Sequence, residues 1–243
     1  MRPLAGLAAV IAVALSVHTA RADPRDDFVA GRSRVCRGCD LAGVNFKRRD
    51  LSGADLTGAN LTEANFHDAQ LGGALLAGAD LTRANLNKAN LGRADLRGAI
   101  LRDAMLYAAT LDDAKLSGAD LAGALMGTAR LARSDFAKAS LRDVDLRKAR
   151  LTEAILTGAD LSAAALDFAF VRGARFDGAV MSGARLIGAQ LIESSLAGAN
   201  LTGADLLGAT LRDVDLTGAN LTGANFSKST MHATRLDGAV FGN

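Results

Sequence analysis

The sequence predicts an all-β solenoid, and three regularities over residues 39–243 predict it. From Leu41 to Phe241 every fifth residue is apolar, giving 41 positions held by 31 Leu, 6 Phe, 3 Met and 1 Val. Two residues before each of them stands Ala in 32 of the 41 cases, and two residues after it stands Gly in 19. No insertion breaks the register, so the segment is one array rather than several domains.

A period of five fits neither the 3.6 of a helix nor the 2 of a flat strand. Within the period, however, Ala54 and Leu56 are two apart, and side chains two apart in extended chain share a side. The next pair, Ala59 and Leu61, then follows a corner. Glycine at Gly53, Gly58, Gly118 and Gly218 supplies that corner, where positive φ carries no Cβ penalty. Ordering five residues costs about 5–10 kcal/mol of backbone entropy, whereas one buried Leu returns about 1.5–3 kcal/mol. A single coil is therefore unstable and stability accumulates from stacked neighbours. Polar residues at the inward small position should then sit where water reaches them, as at Arg49 near one end and Ser229 and Thr234 near the other. Ser134 and Ser194 are interior, and their hydroxyls are expected to bond to backbone.

Runs such as Ala54-Asp55-Leu56-Thr57-Gly58 and Ala219-Asn220-Leu221-Thr222-Gly223 resemble the A-D/N-L-x-x signature of the pentapeptide-repeat family, and the resemblance covers residues 39–243. It implies a right-handed quadrilateral β-helix with four pentapeptides per coil and Leu and Ala inward. Forty-one pentapeptides then make about ten coils, and at ~4.8 Å per stacked strand the rod is about 50 Å long.

In chain order, residues 1–22 read as a secretory signal peptide: Arg2, an apolar run from Leu4 to Val17, and the small-x-small site Ala20-Arg21-Ala22. The run is too short to span a membrane, so the mature chain is expected to begin at Asp23, exported to a periplasm or the extracellular space. Residues 23–38 read as an N-terminal capping segment, with Phe28 and Val29 covering the first coil. Cys36 and Cys39 fall in register and face inward, and their chemistry stays open. A redox pair lacks a βαβ setting, and zinc lacks ligands, because the chain offers two Cys and, after residue 22, His67 and His232. The resemblance implies a buried pair opening the first coil, and an oxidising compartment allows a local disulfide.

Beyond residue 22 the chain carries 26 basic and 26 acidic residues, so no large field of one sign surrounds the rod. A Leu-filled rod offers no catalytic concavity, and neither enzyme activity nor a cofactor is expected. The recurring Asp55, Asp80, Asp95, Asp120 and Asp135 are expected to hold local backbone rather than to form catalytic pairs. Two departures from the bland surface remain. Arg130, Arg133, Lys138, Arg142, Arg147, Lys148 and Arg150 face only Asp135, Asp143 and Asp145 in sequence, predicting a mid-rod basic belt, read either as a solvated charge belt or as a site for an anionic polymer or headgroup. Phe168, Phe170, Ile187, Ile192 and Leu207 predict an apolar interaction patch on one corner of adjacent coils, for a protein partner or a second copy of the chain.

The favoured function is an interaction or structural module. The resemblance also implies a rival, the DNA mimicry that some family members direct at a DNA topoisomerase. Mimicry needs a strongly acidic rod in the cytosol, and this neutral chain with an export signal does not fit it. Nucleic-acid binding is not expected either, for want of a basic face with interleaved aromatics among 9 Phe and 1 Tyr.

Overall fold

A computed structural model describes residues 23–242; the proposed signal peptide lies outside the described residues. The chain winds as a right-handed four-sided β-helix, and the winding is visible in its pairing. Parallel bridges join residues twenty apart along the whole rod, from Val35 with Asp55 to Asn220 with Val240. On one face the bridges lengthen into strands β1 (Phe170–Arg172), β2 (Gln190–Ile192), β3 (Thr210–Arg212) and β4 (Thr230–His232), paired in that order with the same offset. Four pentapeptides therefore make one coil, and each apolar position stacks on its equivalent in the next.

The local chemistry repeats. The carbonyl of Leu56 accepts from the amide of Ala59 at 3.0 Å, closing a four-residue turn whose third residue, Gly58, has φ 65°. That is the signature of a type II turn. Glycine is not what imposes it: Arg48, Ala163, Phe168 and eighteen other non-glycine residues hold the same position with φ between 52° and 61°. The stacking favours it, because each corner amide from Gly38 to Gly218, such as that of Arg48, donates to a carbonyl of the coil above, here His67 at 2.9 Å. Lys228 and Ala233 of the last coil keep the same φ by continuing the coil beneath them. The residue before each apolar position also acts as expected. Asp80 and Asp135 accept from the amides of Thr82 and Ala137 at 2.9 Å, and Asp55, Asp95 and Asp120 do the same for Thr57, Arg97 and Ala122.

The core is one column of stacked Leu, Phe and Ala running from Phe28 to Leu221. Ser229, expected to reach water, donates to the Phe226 carbonyl at 2.7 Å, and the other inward hydroxyls, Ser134, Ser194 and Thr234, cluster on a single corner. There the turn bond lengthens from 3.0 Å at Ala114 to 3.3 Å at Ser134, and at Ala174 the amide donates instead to the Ser194 hydroxyl. Ser134 donates to the Leu131 carbonyl at 2.6 Å and Ser194 to that of Val171 at 3.2 Å, as the sequence predicts. Thr234 departs from expectation: rather than reaching water it donates to Leu211 at 2.8 Å, on the same opened corner.

At the other end, a short helix α1 (Pro24–Val29) lies on the first coil. Asp23 caps it by accepting from the Arg25 amide. Gly31, at φ 77°, closes it with the paired bonds Arg32 to Asp27 and Gly31 to Phe28 of a Schellman ending. Phe28 is buried and meets Phe46 edge-on at 5.7 Å, while Phe46 stacks on Phe66. Arg49 also departs from expectation. Its guanidinium donates to the Val29 carbonyl at 2.6 Å and lies over the Phe46 ring, so the helix end, not water, satisfies it. Cys36 and Cys39 are joined as a disulfide between this helix and the first full coil.

Candidate interaction face

Twenty-residue stacking decides which side chains share a surface. One of the four faces is built from the bridge positions Thr110, Arg130, Arg150, Phe170 and Gln190, each paired with the next. One bounding corner carries Tyr107, Arg147, Lys148 and Phe168. The other carries Asp112, Arg133, Arg172 and Ile192.

The structure places the predicted apolar patch across this face rather than on one corner. Phe168 and Phe170 are 54% and 44% exposed, on the corner and on the flat of the face. Ile187 and Leu207 are half-buried and stack on the Phe168 corner, whereas Ile192 is half-buried on the opposite corner. The correction follows from counting: Ile187 and Ile192 are five apart, one quarter of a coil, so they occupy successive corners.

The basic belt is corrected too. Arg130, Arg133, Arg147, Lys148 and Arg150 gather on this face and its corners, but Lys138 and Arg142 sit on other corners. Four of the seven are neutralised, Arg130 by Asp112 at 2.7 Å, Arg133 by Asp113 at 2.7 Å, Arg142 by Asp160 at 2.6 Å and Arg147 by Asp145 at 2.6 Å. Three of those carboxylates come from neighbouring coils, eighteen or twenty residues away, where proximity in sequence does not reveal them. The pairing holds the Asp145 and Asp113 carboxyls below the usual range, through the guanidinium bonds from Arg147 and Arg133 respectively. Among the described residues Lys148 and Arg150 have no carboxylate within ion-pair distance, and the Arg150 guanidinium lies 5.8 Å over the Phe170 ring.

The expectation of no concavity also needs correction, since the face is dished although the interior is solid. A depression of about 450 Å³ is lined by Lys148, Phe168, Phe170, Gly188 and Gln190. One of about 400 Å³ is lined by Asp112, Arg130, Ala132, Arg150 and Thr152. Two smaller ones continue them, the first beside Tyr107, Gly127 and Arg147, the second beside Arg150, Phe170 and Ile192. The aromatic rings lean on glycines of the coil above. A methyl at Gly188 would lie 2.7 Å from Phe168 Cε1, and one at Gly127 would lie 3.4 Å from Tyr107 Cδ2. Tyr107 is a site residue the sequence reading missed. The pattern that finds it is an outward aromatic with Gly twenty positions later.

The remaining candidates stay apart. His67 and His232 occupy different corners at opposite ends, and no group of three or more metal-ligating side chains exists among the described residues. No helix among them is long and apolar enough to cross a membrane.

The family model for pentapeptide repeats matches the chain in eight copies, which together cover residues 39–243. No curated protein matches it. Among solved structures the chain is similar to HetL, a pentapeptide repeat protein involved in heterocyst differentiation regulation in the cyanobacterium Nostoc, with 32% identity over 89% of this chain and 94% of that chain and a TM-score of 0.51. It is also similar to a pentapeptide repeat protein of the Arabidopsis thaliana thylakoid lumen, at 36% identity over 42% of this chain and 70% of that one, with a TM-score of 0.41. QnrB1, a plasmid-mediated fluoroquinolone resistance protein, matches at 22% identity over 81% of this chain and 91% of that one, also with a TM-score of 0.41.

Proposed function

The chain belongs to the pentapeptide-repeat family, and on that premise we propose that it is a non-enzymatic, exported interaction rod that binds a protein partner, or a second copy of itself, through its mid-rod face. One observation carries the reading. Both departures from the repeat's bland surface, exposed phenylalanines and cations without carboxylates, converge on a single dished face at Lys148, Arg150, Phe168 and Phe170. Exposed apolar side chains also occur elsewhere, as at Leu75, Ile100 and Leu125, but here two phenylalanines lie beside two cations that have no carboxylate. Contiguous exposed apolar surface of this kind marks an interface.

Catalysis has no such support, since the carboxylates Asp112, Asp113, Asp145 and Glu193 are paired with arginines and the two cations left over have no acid or base beside them. The topoisomerase reading fares no better, because a chain with equal numbers of acids and bases beyond residue 22 does not imitate a polyanion.

Two experiments test the proposal. Replacing Phe168 and Phe170 together by Ser should leave thermal stability nearly unchanged, because both rings are exposed, and should abolish association with the native partner or shift a dimer to monomer in sedimentation. Association that survives this change and is lost instead on Phe241→Asp would move the interface to the exposed last coil. For export, the protein purified from its own host should begin at Asp23. A chain that retains Arg2 would overturn that part.

A further inference from the structure

We infer that the mid-rod face selects a partner segment carrying an aromatic or large aliphatic side chain flanked by carboxylates, the apolar group entering the depression between Phe168 and Phe170 and the carboxylates pairing with Lys148 and Arg150. This rests on the proposed interaction function and gives its partner a chemistry.

The backbone excludes one mode of binding. The amides of Arg150 and Phe170 donate to Ala129 and Ala149 at 2.9 Å, and the Phe170 carbonyl accepts from Leu151 at 2.8 Å. With its main chain paired coil to coil, the face cannot accept an added strand, so recognition must run through side chains.

Their geometry sets the first requirement. Phe168 lies flat because Gly188 above it has no Cβ, and the space between it and Phe170 stays open, at about 450 Å³. An aromatic or leucine-sized group fits that space and buries the two rings.

Charge sets the second. Arg130, Arg133, Arg147 and Arg172 on this face are each neutralised by a carboxylate of the chain itself, the last by Glu193 at 3.0 Å. Within the dished zone only Lys148 and Arg150 remain among the described cations, and they flank the depression, while Lys88 and Arg93 lie one coil beyond its Tyr107 edge. Two cations match one or two carboxylates. A nucleic acid or a polyanionic glycan needs many uncompensated charges, because its binding scales with the counterions released. An anionic membrane needs the same, which the compensated arginines do not provide. The dished zone from Tyr107 to Ile187 spans four coil steps, about 19 Å, enough for a segment of several residues.

The test uses the full mature chain and four synthetic sixteen-residue peptides in an otherwise neutral Gly/Ser background, carrying Glu-Phe-Glu, Gln-Phe-Gln, Glu-Ser-Glu or Lys-Phe-Lys at the centre. Fluorescence anisotropy at low salt should show Glu-Phe-Glu bound about tenfold or more tightly than each of the others, the size expected from losing one charge-assisted pair. In the Lys148→Glu, Arg150→Glu double variant the preference should invert toward Lys-Phe-Lys, a reversal that mere misfolding cannot produce. Equal binding of Glu-Ser-Glu, or retention on phosphatidylglycerol vesicles without peptide binding, would overturn the inference. So would a wild-type dimer that dissociates in the double variant, which would make a second copy the occupant. If the native partner is lost on changing Phe168 and Phe170 while the peptides show no acidic preference, this inference fails and the proposed function stands.

Discussion

Gly188 and Gly178 adopt the same turn conformation, at φ 63°, on opposite corners, yet of the two only Gly188 would bring a methyl against anything, the Phe168 ring. Alanine at either position strains the left-handed backbone by about 1–2 kcal/mol. Gly188→Ala should therefore cost distinctly more than Gly178→Ala in urea unfolding, and equal losses would mean the ring does not rest there. The carboxylates before each apolar position set the acid behaviour. The Ser52 amide and the Arg34 guanidinium hold the Asp50 carboxyl down, to about 2, and Arg97 and Arg147 hold Asp95 and Asp145 below the usual range. A folded-state value below the unfolded one, about 3.9, stabilises the rod above that pH and is lost as pH falls through the folded value. The melting temperature should thus be flat near neutrality and fall between about pH 4 and pH 2. Replacing Asp50, Asp95 and Asp145 by Asn should flatten that fall, and an unaltered slope would contradict the assignment. Inward and outward positions were legible residue by residue. The corner conformation was legible only where Gly stands, because Arg, Lys and Phe are driven to positive φ by stacking that no single pentapeptide records.

A coil gains its stability from the coils beside it, so damage should be local at an end and severe in the middle. Phe28→Ala removes the ring that meets Phe46 and should cost about 3–5 kcal/mol at the first coil. Hydrogen exchange should then quicken at Leu41 and Phe46 while amides beyond Leu141 keep their protection; uniform loss would show that the helix is not a local cover. Leu141→Lys, at a fully buried position, places a charge with no partner among stacked leucines and should cost several kcal/mol. The short helix itself was not legible. Its six residues are too few for a periodic pattern, and Arg49 is satisfied by helix carbonyls contributed from twenty residues earlier. The opened corner was half legible, through Ser134 and Ser194, but nothing local marks Thr234 as its continuation.

On the scale of the whole rod, acids and bases beyond residue 22 are equal in number while the surface is not uniform, and the difference comes from the coil length. Folding at twenty residues per turn sets Asp112 and Asp113 beside Arg130 and Arg133, dispersing the basic run that the sequence displays. The same winding brings Tyr107, Arg150 and Phe170 onto one face, which position along the chain does not suggest. Every statement about that face depends on residues twenty apart being neighbours. The most direct measurement is a distance along the rod by pulsed electron spin resonance, with spin labels on Thr57→Cys and Asp237→Cys, two exposed corner positions of one column. The native cysteines are held in their disulfide and leave the labels unambiguous. Nine coils of twenty residues place the labels about 43 Å apart at ~4.8 Å per coil. A distance near 58 Å, the value for fifteen-residue coils, would contradict the four-sided winding and remove the face built on it.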